Sequence, residues 1–119
     1  MGVDDAFRMT QELLKQKRPF TALMAYDDMT AFGAVRALAR AGIKVPGNCS
    51  VIGFDDVSSA ALFVPSLTTV HQPLESMGAS AVNIAIDSIS SAAENRKVPA
   101  VHRKLPSEIV VRESTRAVP

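Results

Sequence analysis

The sequence predicts an α/β fold, a parallel sheet flanked by helices, and three observations lead there. Helical periodicities alternate with short apolar runs along the whole chain. Two of those runs, Thr21 to Tyr26 and Ser50 to Phe54, are continuously apolar or nearly so, as strands covered on both faces are. Each closes on an Asp-Asp pair that leads straight into the next helical pattern. With 47% hydrophobic and 21% charged residues, the 119-residue chain has the composition of one globular core, not of a disordered segment. A chain of this size buries roughly two-thirds of the surface its unfolded form exposes.

Asp4 and Asp5 open the first helical pattern, with Phe7, Thr10, Leu13 and Leu14 on one face. Acidic residues at its start and Lys15, Lys17 and Arg18 at its end both suit the helix dipole, and Pro19 stops it. After the run ending at Tyr26, a second helix extends to about Ala41. Ala31, Ala34, Val35 and Leu38 line its inner face, Arg36 and Arg40 point away, and Gly42 stands where a helix C-cap belongs. Ile43 to Gly47 form a Pro/Gly turn before the second strand, which Asp55-Asp56 ends. A short helix from about Ser58 to Phe63 precedes Pro65 and a β-branched strand from Leu67 to Val70. A long helix then runs from Pro73 to about Ser91, with Leu74, Met77, Ala81, Ile84, Ala85 and Ile89 as its apolar stripe. Two extended stretches follow, Val101 to Leu105 and Ile109 to Arg112, and the tail from Glu113 to Pro119 is expected to fray. A parallel α/β unit ordinarily begins with a strand, whereas this chain begins with a helix.

Several function classes lose support at this level. Thirteen basic against twelve acidic residues, a net charge of +1, give no electrostatic reason for this chain to bind nucleic acid. No apolar run approaches the roughly 18 residues of a membrane span. The start, Met-Gly-Val-Asp-Asp, lacks a signal-peptide profile, so a cytoplasmic protein is expected. Cys49 is the only cysteine, which leaves no internal disulfide, and His71 and His102 have no ligand set at metal spacing. No metal or other cofactor is therefore expected. Asn48-Cys49-Ser50 matches a glycosylation sequon but reads as incidental without a secretion signal. Gly78-Ala79-Ser80-Ala81-Val82 lacks the preceding strand and second glycine of a nucleophile elbow, so no enzymatic nucleophile is indicated. Met29 to Ile43 has the outline of a helix-turn-helix, but a Pro/Gly turn and a strand follow it instead of a recognition helix.

The acidic pairs carry what chemistry the sequence offers. Ligands of open α/β sheets bind beyond the carboxyl ends of the strands, where Asp27 and Asp55 stand. Asp28 and Asp56 are each placed to cap the helix that follows, and for Asp56 capping and ligand contact remain equally open. One cap per helix leaves the first aspartate of each pair unexplained. An ionised carboxylate accepts at two oxygens, which suits adjacent hydroxyls of a sugar or ribose. Magnesium binding for phosphoryl transfer is the other use of clustered aspartates, but neither a later strand-end lysine nor an Asp-x-Asp opening accompanies them.

Five ordered motifs then point to a family. Tyr26-Asp27-Asp28-Met29-Thr30-Ala31-Phe32-Gly33-Ala34, Ala41-Gly42-Ile43-Lys44-Val45-Pro46 and Ser50-Val51-Ile52-Gly53-Phe54-Asp55-Asp56 come first. Leu67-Thr68-Thr69-Val70-His71-Gln72-Pro73 and Ile109-Val110-Val111-Arg112-Glu113-Ser114-Thr115 follow. Over nearly its whole length the chain resembles the C-terminal part of the lactose-repressor/galactose-repressor (LacI/GalR) family of bacterial transcription regulators. The resemblance implies a periplasmic-binding-protein-like domain, of which this chain would be an incomplete C-terminal subdomain. A small molecule, a sugar or a nucleobase, would lie between two subdomains and control operator binding by an N-terminal helix-turn-helix domain outside this sequence.

Residue by residue, the resemblance makes Asp55 an effector contact and Asp27 another, at a position where many members carry Asn. Gln72 falls near the cleft, at the crossover between subdomains. Phe32, Leu62 and Phe63 match dimer-interface positions, each with a second reading as core. Residues 1–73 would belong to the C-terminal effector-binding subdomain, 74–97 to a helix that packs on the N-terminal subdomain, and 98–119 to returning extended segments and a tail. Without that subdomain the helix stripe is unpartnered, so the chain is expected to self-associate as a homodimer or higher oligomer. A periplasmic sugar-binding protein of a transport system is the alternative of the same architecture.

Overall fold

The computed structural model describes residues 2–118. The chain divides into two compact units, one running to His71 and resuming at Glu108, the other spanning Gln72–Ser107.

In the first unit the elements follow the predicted order. Helix α1 (Val3–Lys15) turns Ala6 and Thr10 inward, and the Asp5 carboxylate accepts from the Gly2 N–H at its start. Strand β1 (Ala22–Met24) leads to α2 (Asp28–Arg40), whose inner face buries Ala31, Phe32, Ala34, Val35 and Leu38. Gly42, at φ 76°, closes α2: its N–H donates to the Ala39 carbonyl and the next N–H, from Ile43, to the Leu38 carbonyl. That paired arrangement needs a left-handed residue, which glycine supplies without steric cost. Strand β2 (Ser50–Ile52), the short helix α3 (Ser58–Leu62), β3 (Thr69–His71) and β4 (Glu108–Val110) complete the unit. The core lies between α2 and the sheet, with Leu38, Val51, Ala60 and Leu67 fully buried.

Strands β1 and β2 pair in parallel, with Leu23 opposite Val51. Parallel bridges join Ile52 to Thr68 and Asp55 to His71, and the Gly53 N–H donates to the Thr68 carbonyl at 2.9 Å. The spatial order is therefore β1-β2-β3-β4. The last pair is antiparallel, with Val70 opposite Ile109. This departs from the all-parallel expectation, because β4 returns from the second unit instead of crossing over the sheet through a helix. Strand β1 is not covered on both faces either: Met24 is 77% exposed.

The tail corrects another expectation. Ser114 is fully buried and joins the middle of the sheet. Its N–H donates to the Ser66 carbonyl and its own carbonyl accepts from Val51. Its hydroxyl donates to the Val51 carbonyl at 2.6 Å and accepts from the Thr68 N–H at 2.8 Å. Thr115 continues the seam through a hydroxyl contact with Thr68. Polar backbone groups where β2 and β3 diverge are thus satisfied by a serine instead of a ladder partner.

The second unit consists of α4 (Leu74–Ala93) and an irregular stretch to Ser107. The extended segment expected from Val101 to Leu105 forms no strand. No residue of α4 is buried, and Leu74, Met77, Val82, Ile86 and Ile89 are all exposed. Among the described residues, no helix is long and apolar enough to cross a membrane.

Candidate functional site

Asp27 and Asp55 each follow a parallel strand. Met24 and Ile52 are register partners, and each aspartate follows its partner by three residues. They therefore lie just beyond the carboxyl ends of neighbouring strands. Past the strands the Ala25 N–H donates to the Ile52 carbonyl and the Asp28 N–H to the Phe54 carbonyl, both at 2.9 Å, so the alignment slips by one residue and Asp28, not Asp27, comes opposite Asp55.

Within the first pair the structure reverses the roles expected from sequence. Asp27, not Asp28, caps α2, its Oδ1 accepting from the Thr30 N–H at 2.7 Å. Hydrogen bonding to Thr30 outweighs burial and holds the Asp27 carboxyl below its ordinary range. Asp28 is the first helical residue and is wholly buried. Its Oδ1 accepts from the Thr69 hydroxyl at 2.5 Å and its Oδ2 from the Val57 N–H at 2.8 Å, so it ties α2 to β3 and to the start of α3. Gly53 lies against it, and any Cβ there would collide with Asp28 Oδ1 and approach Leu67 Cδ2 to 2.8 Å.

The second pair sits on a turn with unusual backbone. Asp55 has φ 105° and Asp56 φ 56°, both in the region that favours glycine. Asp56 does not cap α3: the cap position is Val57, with no side-chain cap bond. Instead Asp56 Oδ1 accepts from Arg112 Nη2 at 2.7 Å, and Oδ2 lies 2.9 Å from His71 Nδ1. Burial pushes the Asp56 carboxyl up, but hydrogen bonds and charge from Arg112 and His71 prevail and leave it lowered. Arg112 also donates from Nη1 to the Leu67 carbonyl at 2.9 Å.

A family described as the periplasmic binding protein-like domain matches residues 2–115. The chain belongs to this family, in the form it takes in the LacI/GalR regulators. It is 40% identical over 102 residues to the HTH-type transcriptional repressor PurR of Edwardsiella ictaluri, covering 86% of this chain and 30% of that protein. A lac repressor dimer bound to operator and the anti-inducer ONPF superposes with a TM-score of 0.82 at 28% identity, over 98% of this chain and 39% of the repressor chain. The lactose complex of a LacI-family transcriptional regulator from Arthrobacter sp. FB24 gives a TM-score of 0.81 at 28% identity, over 97% of this chain and 42% of that one. The chain thus spans about 30% of the length of the curated relatives it matches.

Within this LacI/GalR-type domain the other predicted residues divide. Gln72 is half-buried and belongs to the second unit, where its carbonyl accepts from the Leu74 N–H at 2.8 Å. Phe32 is 5% exposed and stacks on Phe63 with ring centroids 4.4 Å apart, so for Phe32 the core reading applies. Phe63 is half-buried beside it, and Leu62 is 82% exposed. Tyr26 and Phe54, each beside an aspartate, are exposed. An apolar cavity of about 670 Å³ is lined by Ala6, Met9, Leu13, Met24, Tyr26 and Thr30, the last two flanking Asp27. Among the described residues no group of three His, Cys, Asp or Glu side chains could hold a metal ion. Arg112 and His71 are the members of the Asp56 cluster that sequence reasoning missed. The one available signal was an arginine ending a β-branched run, Ile109 to Val111.

Proposed function

We propose that this chain is the effector-contacting and self-associating portion of a LacI/GalR-type transcription regulator, cytoplasmic and without catalytic activity. It would sense a small polar molecule, a sugar or a nucleobase, and pass the signal to operator DNA through a separate helix-turn-helix domain. The observation that carries this reading is the pair of carboxylates, Asp27 and Asp55, just beyond the carboxyl ends of two parallel neighbours. Carboxylate acceptors beyond neighbouring strand ends suit paired hydroxyls or ring amines. The cap uses only Oδ1 of Asp27, so the same residue can start α2 and accept from an effector. Gln72 is a further candidate contact, carried by the family resemblance alone. Leu62 is the candidate for the dimer surface, with Phe63 and Phe32 supporting it from behind. The repressor relatives favour a regulator over the transport-system alternative.

The test is titration of the intact two-subdomain regulator that contains this chain with lactose, ribose and adenine, followed by amide chemical shifts. Saturable shifts at both Asp27 and Asp55 are expected with one of these classes. A charge-assisted hydrogen bond contributes about 1.5–3 kcal/mol, so Asp55→Asn should weaken that binding roughly ten- to a hundredfold. Binding that survives Asp55→Asn unchanged removes Asp55 from the site.

A further inference from the structure

We propose that the open edge of β1, with the apolar cavity beside it, is a docking site for one extended segment: the stretch of a longer polypeptide that leads into α1, added as a strand parallel to β1. Among the described residues, β1 pairs on one side only, with β2. The Thr21 carbonyl accepts from the Ser50 N–H, and the Ala25 N–H donates to the Ile52 carbonyl. Alternation along the strand then turns the N–H and C=O groups of Ala22 and Met24 to the free side. Sheets ordinarily protect such an edge with charge, proline or a covering element. The run from Thr21 to Tyr26 holds neither charge nor proline, and Met24 and Tyr26 are 77% and 81% exposed. The cavity of about 670 Å³ is lined from α1 by Ala6, Met9 and Leu13 and from β1 by Leu23 and Met24. Apolar side chains of a strand one place further out would fill it.

The course of the two helices selects the occupant. The Val3 carbonyl and Ala6 lie against Gly33, in the first half of α2, where a Cβ would collide with them. Gln11, Leu14 and Lys15 share a hollow with Ala37, Arg40 and Ala41 at the end of α2. α1 and α2 therefore run side by side in the same direction. α2 starts beyond the carboxyl end of β1, so α1 starts toward that end too, and the chain enters it, extended at Gly2, from the carboxyl edge of the sheet. A strand parallel to β1 delivers the chain to that edge, whereas an antiparallel one delivers it to the opposite edge. Crossovers between parallel strands are right-handed in about 98% of cases. Helices packed on each other share a face of the sheet, and right-handed crossovers on one face step steadily in one direction. α2 steps from β1 to β2, so α1 steps into β1 from the other side, which is the open edge. The matched region is 30% of the PurR relative, so most of that polypeptide lies outside it. A second copy of this chain is the poorer fit: two β1 edges related by a twofold axis pair antiparallel and bring no chain to the start of α1.

Amide hydrogen exchange in the intact regulator that contains this chain tests the assignment. The Leu23 and Ala25 amides face β2 and serve as the internal standard of a paired strand. Ala22 and Met24 should be protected alongside them, exchanging at least about a hundredfold more slowly than free amides, at every protein concentration. Amide and Hα cross-peaks should join residues 22–24, in parallel register, to the segment that leads into α1. Ala22 and Met24 exchanging as free amides while Leu23 and Ala25 are protected overturns the proposal, because the edge is then open in the whole protein. Protection that rises with protein concentration, or close Hα-to-Hα contacts of antiparallel pairing, gives the edge to a second copy and overturns it as well. A reading frame that opens at Met1 leaves no strand to dock and does the same. None of these outcomes involves an effector, so they stand apart from the binding result of Asp55→Asn.

Discussion

Ser114→Ala tests whether the C-terminal seam holds the sheet together. The hydroxyl removed is fully buried and makes two bonds of opposite sense, donating to Val51 and accepting from Thr68. Alanine would fit the space but leave a buried carbonyl and a buried N–H facing a methyl group. Each unsatisfied group costs about 1–3 kcal/mol, so the pair should cost about 3 kcal/mol after partial relaxation. The two remaining backbone bonds of residue 114, to Ser66 and Val51, are unaffected and keep the strand in place. In urea, with a slope of about 1.5 kcal/mol/M for a domain of this size, the midpoint should fall by about 2 M at unchanged slope. That is a large share of the roughly 5–15 kcal/mol that stabilises a typical domain. A fall corresponding to less than about 1 kcal/mol would show that β2 and β3 satisfy one another without Ser114, and would return the tail to the frayed state expected from sequence.

Gly53→Ala should cost about 3 kcal/mol, at the upper end for overpacking, because the new Cβ meets Asp28 Oδ1 and Leu67 Cδ2, both fully buried and unable to retreat. A thermal midpoint within a degree or two of wild type would contradict that packing. Asp27→Ala should cost about 1 kcal/mol through loss of the α2 cap, whereas Asp27→Asn should be nearly neutral in stability; urea midpoints of the two variants separate capping from effector contact. The Asp27 carboxyl is held below its ordinary value of 3.8 in the folded state, so its share of stability is complete above that value and fades as pH falls through the folded one. The stability gap between wild type and Asp27→Asn should therefore change only below about pH 4, as acid titration of unfolding would show.

Local chemistry was legible where the partner is near in sequence. Gly42 bounds α2 as its backbone preference dictates, whereas α1 ends at Lys15, ahead of a left-handed Lys17 and short of Pro19; the inner face of α2 follows the helical period of Ala31, Ala34, Val35 and Leu38. The division of labour in Asp27-Asp28 was not legible, because a one-residue shift in where α2 begins exchanges the two roles. Only Thr69 and Val57, 41 and 29 residues away, decide which aspartate is drawn inward. Ser114 and Arg112 were illegible for the same reason. Their partners lie 46 to 63 and 45 to 56 residues upstream, and nothing in Arg-Glu-Ser-Thr states that its serine closes a gap between two strands.

The doubling of aspartates has a physical logic that a single aspartate after each strand would not satisfy. A carboxylate that contacts a ligand needs a rigid backbone if binding is not to cost conformational entropy. In each pair the second residue adds to that rigidity. Asp28 spends both oxygens on Thr69 and Val57, and Asp56 spends both on Arg112 and His71. Thr69 and His71 lie on β3, so both anchors draw the strand ends toward the same neighbour while the first aspartates remain at the carboxyl edge of β1 and β2. The arrangement also explains why the buried member is tolerated. Asp28 sits at the amino end of α2, where the helix dipole favours a negative charge, and both its oxygens accept a hydrogen bond. On this account Asp28→Asn and Asp56→Asn should disturb the placement of residues 27 and 55 more than substitutions at 27 and 55 disturb the fold. That ordering inverts what ligand contact alone would lead one to expect of a binding site.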